Sequence, residues 1–188
     1  MDTALHHAHQ SMPADGAAGA WIFGYGSLLW RQGFAYEEVR DARLLGWHRS
    51  LCVYSWVHRG TPERPGLVLG LDRGGSCRGR IFRVTPEREA EVLAYLDGRE
   101  LVTEVYHRKR LPVATAEGRL PAWCYVVRRE HAQYAGRLDP ARLLALIRQG
   151  EGISGACRDY LTSTVDHLEA MGIVDGPLHD LARSLREA

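Results

Sequence analysis

Lysine is almost missing from this 188-residue chain: Lys109 stands alone, and arginine supplies the rest of 24 basic side chains set against 23 acidic ones. The two signs cancel to a formal charge of +1, so no global field draws the protein to nucleic acid or to an anionic membrane. Small neutral or zwitterionic partners suit such a surface better. The arginine bias itself reads as coding composition. Cysteine is scarce and scattered, at Cys52, Cys77, Cys124 and Cys157, with no C-x-x-C pair. That excludes a zinc ribbon and a dithiol redox motif, and isolated thiols suit a reducing, cytoplasmic setting. No apolar run approaches the roughly 20 residues of a membrane span, so no membrane partner is expected. Metal-ligand spacings and the G-x-S-x-G nucleophile elbow are absent as well.

A chain of this length allows one domain with its own core and is short for two. We assign that domain to residues 21–188. Residues 1–20 hold His6, His7 and His9 among alanines and glycines, with no apolar segment, and read as a disordered tail. A three-histidine tract of this kind is more often incidental than metal-binding.

What the chain does have is concentrated in W-I-F-G-Y-G-S-L-L-W, from Trp21 to Trp30. Trp21, Ile22 and Phe23 suit a buried strand. Gly24 and Gly26 bracket Tyr25, a spacing that permits a sharp turn, positive φ and close approach of a ligand. Leu28, Leu29 and Trp30 then resume the apolar run. A turn pinned at both ends can aim several backbone N–H groups at one point and cradle an anion or oxyanion. The same ten residues equally suit a plain β-turn between core segments. A third glycine and a following Gly-Lys-Ser/Thr are missing, so neither a dinucleotide fingerprint nor a phosphate loop is present.

Further along, residues 43–57 are rich in aromatic and β-branched types and predict one or two strands interrupted near Gly46. His58 to Gly66 is dense in breakers and reads as loop. Leu67–Leu71 and Arg80–Val84 flank D-R-G-G-S, which predicts a β-hairpin. Thr85-Pro86 opens a helix that turns Val92, Leu93, Tyr95 and Leu96 inward and stops at Asp97-Gly98. Leu101–Val113 and Ala122–Arg129 look extended, with a turn at Glu117-Gly118. Asp139-Pro140 caps a helix ending at Gly150, and two more helices follow, the last beginning near Pro177. Strands first and helices later, with one helix among the strands, argue for an α+β fold around a curved sheet or small barrel.

With no metal motif and no nucleophile motif, the candidate groups are carboxylates. Glu100 follows a glycine helix stop and enters an extended segment, where Arg99 and Glu100 would point to opposite sides. Arg99 could then anchor structure while Glu100 faces a pocket. An ordinary solvated ion pair at a helix end fits the same two residues.

Taken together, the Trp21–Trp30 run, H-R-G at His58–Gly60 with Pro65-Gly66, Y-L-D-G-R-E at Tyr95–Glu100, and G-I-S-G followed by Asp159-Tyr160-Leu161 resemble the glutathione-specific γ-glutamylcyclotransferases of the ChaC type. The match runs in order over most of residues 21–185. The first and third motifs are specific together, whereas H-R-G or G-I-S-G alone is weak. The resemblance implies a small mixed β-barrel with peripheral helices, working without cofactor on a small γ-glutamyl molecule such as glutathione. It places the substrate loop on Ile22, Phe23, Gly24, Tyr25, Gly26, Ser27 and Leu28, and the catalytic base on Glu100. Tyr125 and Tyr134 are candidate substrate hydroxyls, although each also fits strand packing. The same residues would serve other γ-glutamyl amides, or a γ-glutamyl-binding module without catalysis. Two departures bear on substrate preference. Cys157 stands where similar sequences usually carry asparagine, and Glu104-Val105 where some carry glycines.

Overall fold

A computed structural model describes residues 19–187. The expected tail with His6, His7 and His9 lies outside the described residues except at its end, where Ala20 already pairs with Val84 in the first strand. That strand, β1 (Ala20–Gly24), is buried along its whole length, as its aromatic and β-branched run requires. It lies antiparallel to β3 (Gly66–Val84) and parallel to β5 (Gly118–Val127). With β2 (Glu38–Ser55) and β4 (Tyr106–Thr115) the strands close a barrel in the order β1-β3-β2-β4-β5. Only the short β1–β5 contact, Trp21 opposite Ala122 and Ile22 opposite Trp123, is parallel. The α+β class with a small mixed barrel is the fold that forms.

Two expected breaks are absent. Gly46 does not end β2, and D-R-G-G-S does not turn the chain, because β3 runs unbroken through it. The β2–β3 register jumps instead from Leu45 opposite Ser76 to Trp47 opposite Arg73. Gly46, Gly74 and Gly75, at φ of 79°, 103° and 64°, absorb that jump as a bulge. Ladder pairing on both sides of the bulge outweighs the local turn tendency. The true hairpin loop is residues 56–65, between β2 and β3.

The helices surround this barrel. α1 (Pro86–Glu100) begins behind Thr85 and Pro86 as expected, although the Thr85 side chain makes no cap bond. Val92, Leu93 and Leu96 are buried, whereas Tyr95 is 43% exposed and does not turn inward. Gly98 fails to stop the helix, which closes where the Leu101 amide donates to the Asp97 carbonyl at 2.9 Å. Glu100 is therefore the last helical residue and not a strand residue. α2 (Pro140–Gln149) is capped by Asp139, whose side chain accepts from the Arg142 amide at 2.9 Å. A two-residue hairpin, β6 (Glu151–Gly152) and β7 (Gly155–Ala156), leads into α3 (Cys157–Ala170), and α4 (Gly176–Arg186) closes the chain. Among the described residues no helix is long and apolar enough to cross a membrane.

Burial divides into two clusters. One joins barrel side chains such as Phe23, Leu67 and Val126 to Leu146, Leu161, Leu168 and Leu185 of the last three helices. The other packs Ile22, Leu28 and Tyr125 against Val92 and Leu96 of α1. Each fully buried Leu or Phe contributes about 1.5–3 kcal/mol, so both sets hold their helices firmly against the barrel. The end of α1 and the start of α3 bound a cavity at the barrel's edge.

Candidate active site

The cavity measures about 580 Å³, within the range of small-molecule sites. Tyr25, Gly26, Ser27 and Leu28 line it from the turn after β1, and Arg99 and Glu100 from the last turn of α1. Ile22, Phe23 and Gly24 do not reach it. The first two are core residues of β1, and a Cβ at Gly24 would press on the Phe82 ring at 3.0 Å and the Leu28 Cβ at 3.3 Å. Tyr125 lies on the lining, its hydroxyl donating to Asp97 Oδ1 at 2.8 Å. Tyr134 does not line the cavity; its hydroxyl donates to Asp72 Oδ2 at 2.9 Å, and burial beside that carboxylate pushes the phenol up to about 12.

The glycine turn is a short 3-10 turn over Ser27–Leu29. Neither Gly24 nor Gly26 takes positive φ, contrary to expectation; Gly26 has φ −130°. Its lack of a side chain matters through space. A Cβ there would point between Leu69 Cδ1 at 3.6 Å and the Tyr160 hydroxyl at 3.8 Å, on the cavity side. The turn's own bonds use the amides of Leu29, Trp30 and Arg31 and leave those of Gly26, Ser27 and Leu28 without an acceptor within it. Arg49, which no sequence signal marked among so many arginines, fixes the turn from behind. Its side chain is 2% exposed and donates to the Tyr25 carbonyl at 2.6 Å, the Arg78 carbonyl at 2.6 Å and Asp175 Oδ2 at 2.9 Å.

Arg99 and Glu100 do not diverge as expected. Helical geometry keeps them on adjacent faces, and Arg99 Nε meets Glu100 Oε1 at 3.1 Å. The same guanidinium donates to Ser27 Oγ at 2.6 Å and to the Arg31 carbonyl at 2.8 Å, tying the carboxylate to the turn. Burial raises the Glu100 carboxyl above its ordinary value, and the Arg99 charge opposes that only in part. Tyr25, Tyr106 and Tyr160 share the lining, and burial, reinforced by the Glu100 charge, keeps their phenols protonated. Tyr106 donates to the Leu69 carbonyl at 2.7 Å, and Tyr160 accepts from the Leu69 amide at 3.3 Å. Among the described residues no three His, Cys, Asp or Glu side chains converge as a metal set. A carboxylate with a raised pKa, neutral hydroxyls and open amides can move protons and steady a developing charge.

The two departures have local accounts. Cys157 lies off the cavity lining, its thiol accepting from the Leu67 amide at 3.3 Å and donating to the Leu67 carbonyl at 3.1 Å. An asparagine side chain carries the same donor and acceptor pair. Glu104 sits at φ 58°, a left-handed conformation that glycine adopts freely and that no other non-glycine among the described residues takes.

The family model described as ChaC-like protein matches residues 20–188. The chain is 32% identical over 168 residues to a glutathione-specific γ-glutamylcyclotransferase of Escherichia coli K12, covering 89% of this chain and 73% of that one. It is 34% identical over 157 residues to glutathione-specific γ-glutamylcyclotransferase 1 of mouse, covering 81% and 70%. The fold matches that of a γ-glutamyl cyclotransferase specific to glutathione from yeast with a TM-score of 0.82, at 22% identity, over 90% of this chain and 96% of that one. The chain belongs to the ChaC-like family.

Proposed function

We propose that this ChaC-like protein is a γ-glutamylcyclotransferase that cleaves glutathione to 5-oxoproline and Cys-Gly. In glutathione the α-amine nitrogen is four bonds from the γ-amide carbonyl carbon, so nucleophile and electrophile share one molecule and little further entropy is lost on closing the five-membered ring. The amine nitrogen attacks the γ-carbonyl carbon, forming the ring C–N bond. Collapse of the tetrahedral centre breaks the amide C–N bond and expels Cys-Gly. The proton shed by the attacking nitrogen passes to Glu100 and then to the departing nitrogen, so Glu100 is base and acid in turn. The open amides of the Gly26–Leu28 turn steady the oxygen of the γ-carbonyl or hold the α-carboxylate. Neutral Tyr25, Tyr106 and Tyr160 supply further polar surface around the γ-glutamyl unit. Four buried free cysteines accord with a reducing cytoplasm.

The observation that carries this reading is a carboxylate, Glu100, raised by burial and tied through Arg99 to the glycine turn, within the same cavity. The test is mass-spectrometric detection of 5-oxoproline after incubation with glutathione, beside Glu100→Gln. Product from the parent protein and none from the variant supports both reaction and base. Product from other γ-glutamyl amides but not glutathione would change the substrate, and none from any would leave a binding module.

A further inference from the structure

The H-R-G segment, weak as a motif, is among the most tightly built parts of the molecule. A Cβ at Gly66 would overlap the Arg59 carbonyl oxygen, and one at Gly150 would come within 2.5 Å of it. A Cβ at Gly152 would overlap the Val57 carbonyl oxygen and lie 2.7 Å from the Gly60 amide nitrogen. The β6–β7 hairpin is laced to the same segment. Ile153 and Ser154 donate their amides to the Val57 and His58 carbonyls, each at 3.0 Å, and the His58 Nδ1 meets Ser154 Oγ at 3.0 Å. Glycines far apart in sequence thus clear the space in which one arginine backbone is locked.

The side chain so placed lines the cavity that also holds Glu100. Its Cζ sits 5.2 Å from the centre of the Tyr160 ring, and Nη1 donates to the Ser154 and Ala156 carbonyls. Both of those partners are neutral. Among the described residues no carboxylate oxygen lies within 4.0 Å of its nitrogens; Asp159, the other acid on the lining, forms no ion pair with it. With Nη1 occupied by carbonyls, Nε and Nη2 remain, and these form the edge of a guanidinium that grips a carboxylate through two parallel bonds. A rigid, partly desolvated arginine without a counter-ion is costly unless a ligand supplies one.

We infer that Arg59 is a specificity-determining residue whose Nε–Nη2 edge binds the terminal carboxylate of the leaving peptide, selecting γ-glutamyl peptides over γ-glutamyl amines. This rests on the cyclotransferase reading above, and it gives a task to a charged lining residue that the reading leaves unused. Glutathione ends in such a carboxylate, at the far end of the leaving Cys-Gly from the bond that breaks.

The test compares glutathione with its C-terminal amide, which differs only in lacking that charge. The parent protein should favour glutathione about 10- to 100-fold in kcat/KM, the span of a charge-assisted bidentate contact, with the difference in KM and kcat unchanged. Arg59→Gln should erase the preference by raising KM for glutathione alone, and Arg59→Lys should restore part of it. Arg31→Gln, at the other arginine of the lining with no ion pair, should keep the preference. Equal turnover of acid and amide by the parent protein overturns the assignment, even where the Arg59 variants do not fold. Collapse of the preference in Arg31→Gln overturns it too. Titration calorimetry of acid and amide on Glu100→Gln reads the same preference without turnover. A preference for the acid there, beside a parent protein that forms no 5-oxoproline from any γ-glutamyl amide, would retain the carboxylate site and lose the cyclotransferase reading.

Discussion

Glu100 and Arg59 line one cavity and are held in place by different means. Glu100 is the last residue of a helix, and its carboxylate is placed by side chains: Arg99 binds it at 3.1 Å and reaches Ser27 at 2.6 Å. Arg59 lies in a loop, and its position is set by backbone packed against backbone, with glycines removing every Cβ that would intervene. The difference fits the task proposed for each end. A proton-transfer group must change charge, so its surroundings have to tolerate both states, and one partly opposing cation does that. A recognition group keeps its charge throughout, so rigidity is what it needs.

The largest break at the Glu100 end comes from Glu100→Gln. We expect kcat to fall by about 10²–10⁴, the usual worth of a general acid-base, with glutathione affinity little changed. Stability should move the other way. Burial raises the folded-state pKa above the ordinary value of 4.5, so between those two values the native state holds more protons than the unfolded one. Stability of the parent protein therefore falls as pH rises through that window. Glutamine removes this loss, so the variant should melt higher at about pH 7.5, and the gain should vanish at about pH 4. A variant that is inactive but also less stable at neutral pH would mean that the carboxylate supports the fold.

The matching break at the Arg59 end is Gly66→Ala, which drives a methyl into the Arg59 carbonyl. Overpacking against backbone should cost about 1–3 kcal/mol, measured by denaturant melts, and raise KM for glutathione more than it lowers kcat. Gly98→Ala is the contrast. It lies inside α1, a Cβ there meets nothing within 4 Å, and it should stabilise by about 0.5–1 kcal/mol. A cost at Gly66 no larger than the effect at Gly98 would remove the argument that packing places Arg59.

A smaller effect separates charge from placement. Arg99 lowers the Glu100 pKa against burial, so Arg99→Gln should raise it further. Since the base acts deprotonated, the acidic limb of the kcat/KM profile should move to higher pH. Below that limb activity should drop roughly two- to fivefold, in line with an ion pair whose side chains are 22% and 21% exposed, and recover as pH rises. An unmoved limb with a uniform loss would assign Arg99 to holding Ser27 instead.

Legibility in the sequence was uneven for the same reason that the two ends differ. Glu100 and the glycine turn are carried by contiguous motifs, and α2 announces itself through Asp139, Pro140 and Gly150 within one short window. The Arg59 end was not readable. Gly60, Gly66, Gly150 and Gly152 lie up to 92 residues apart, and the β2–β3 loop and the β6–β7 hairpin together bring them into one place. Local rules also misjudged two glycine sites. Gly98 continues a helix because its neighbours Leu96 and Arg99 have partners in the core and in the turn, and Gly74-Gly75 forms a bulge because β2 pairs on both sides of it. In each case a long-range contact decided between conformations that glycine allows equally.

The smallest expected effect concerns Cys157, which packs beneath the Arg59 end: Cβ atoms built on Gly66 and Gly150 would lie 3.2 and 3.1 Å from its own. Its thiol serves both backbone groups of Leu67, which asparagine can also do, with its amide oxygen accepting and its nitrogen donating. Cys157→Asn should therefore change stability by less than about 1 kcal/mol and leave the preference for glutathione over its amide intact. Cys157→Ala leaves the buried Leu67 amide without its acceptor and should cost about 1–3 kcal/mol. Both melts and both kinetic ratios can be read from one set of variants. If asparagine instead shifted the acid-to-amide ratio while melting like the parent protein, Cys157 would be tuning substrate choice through Arg59, and the departure from the family pattern would belong to recognition and not to packing.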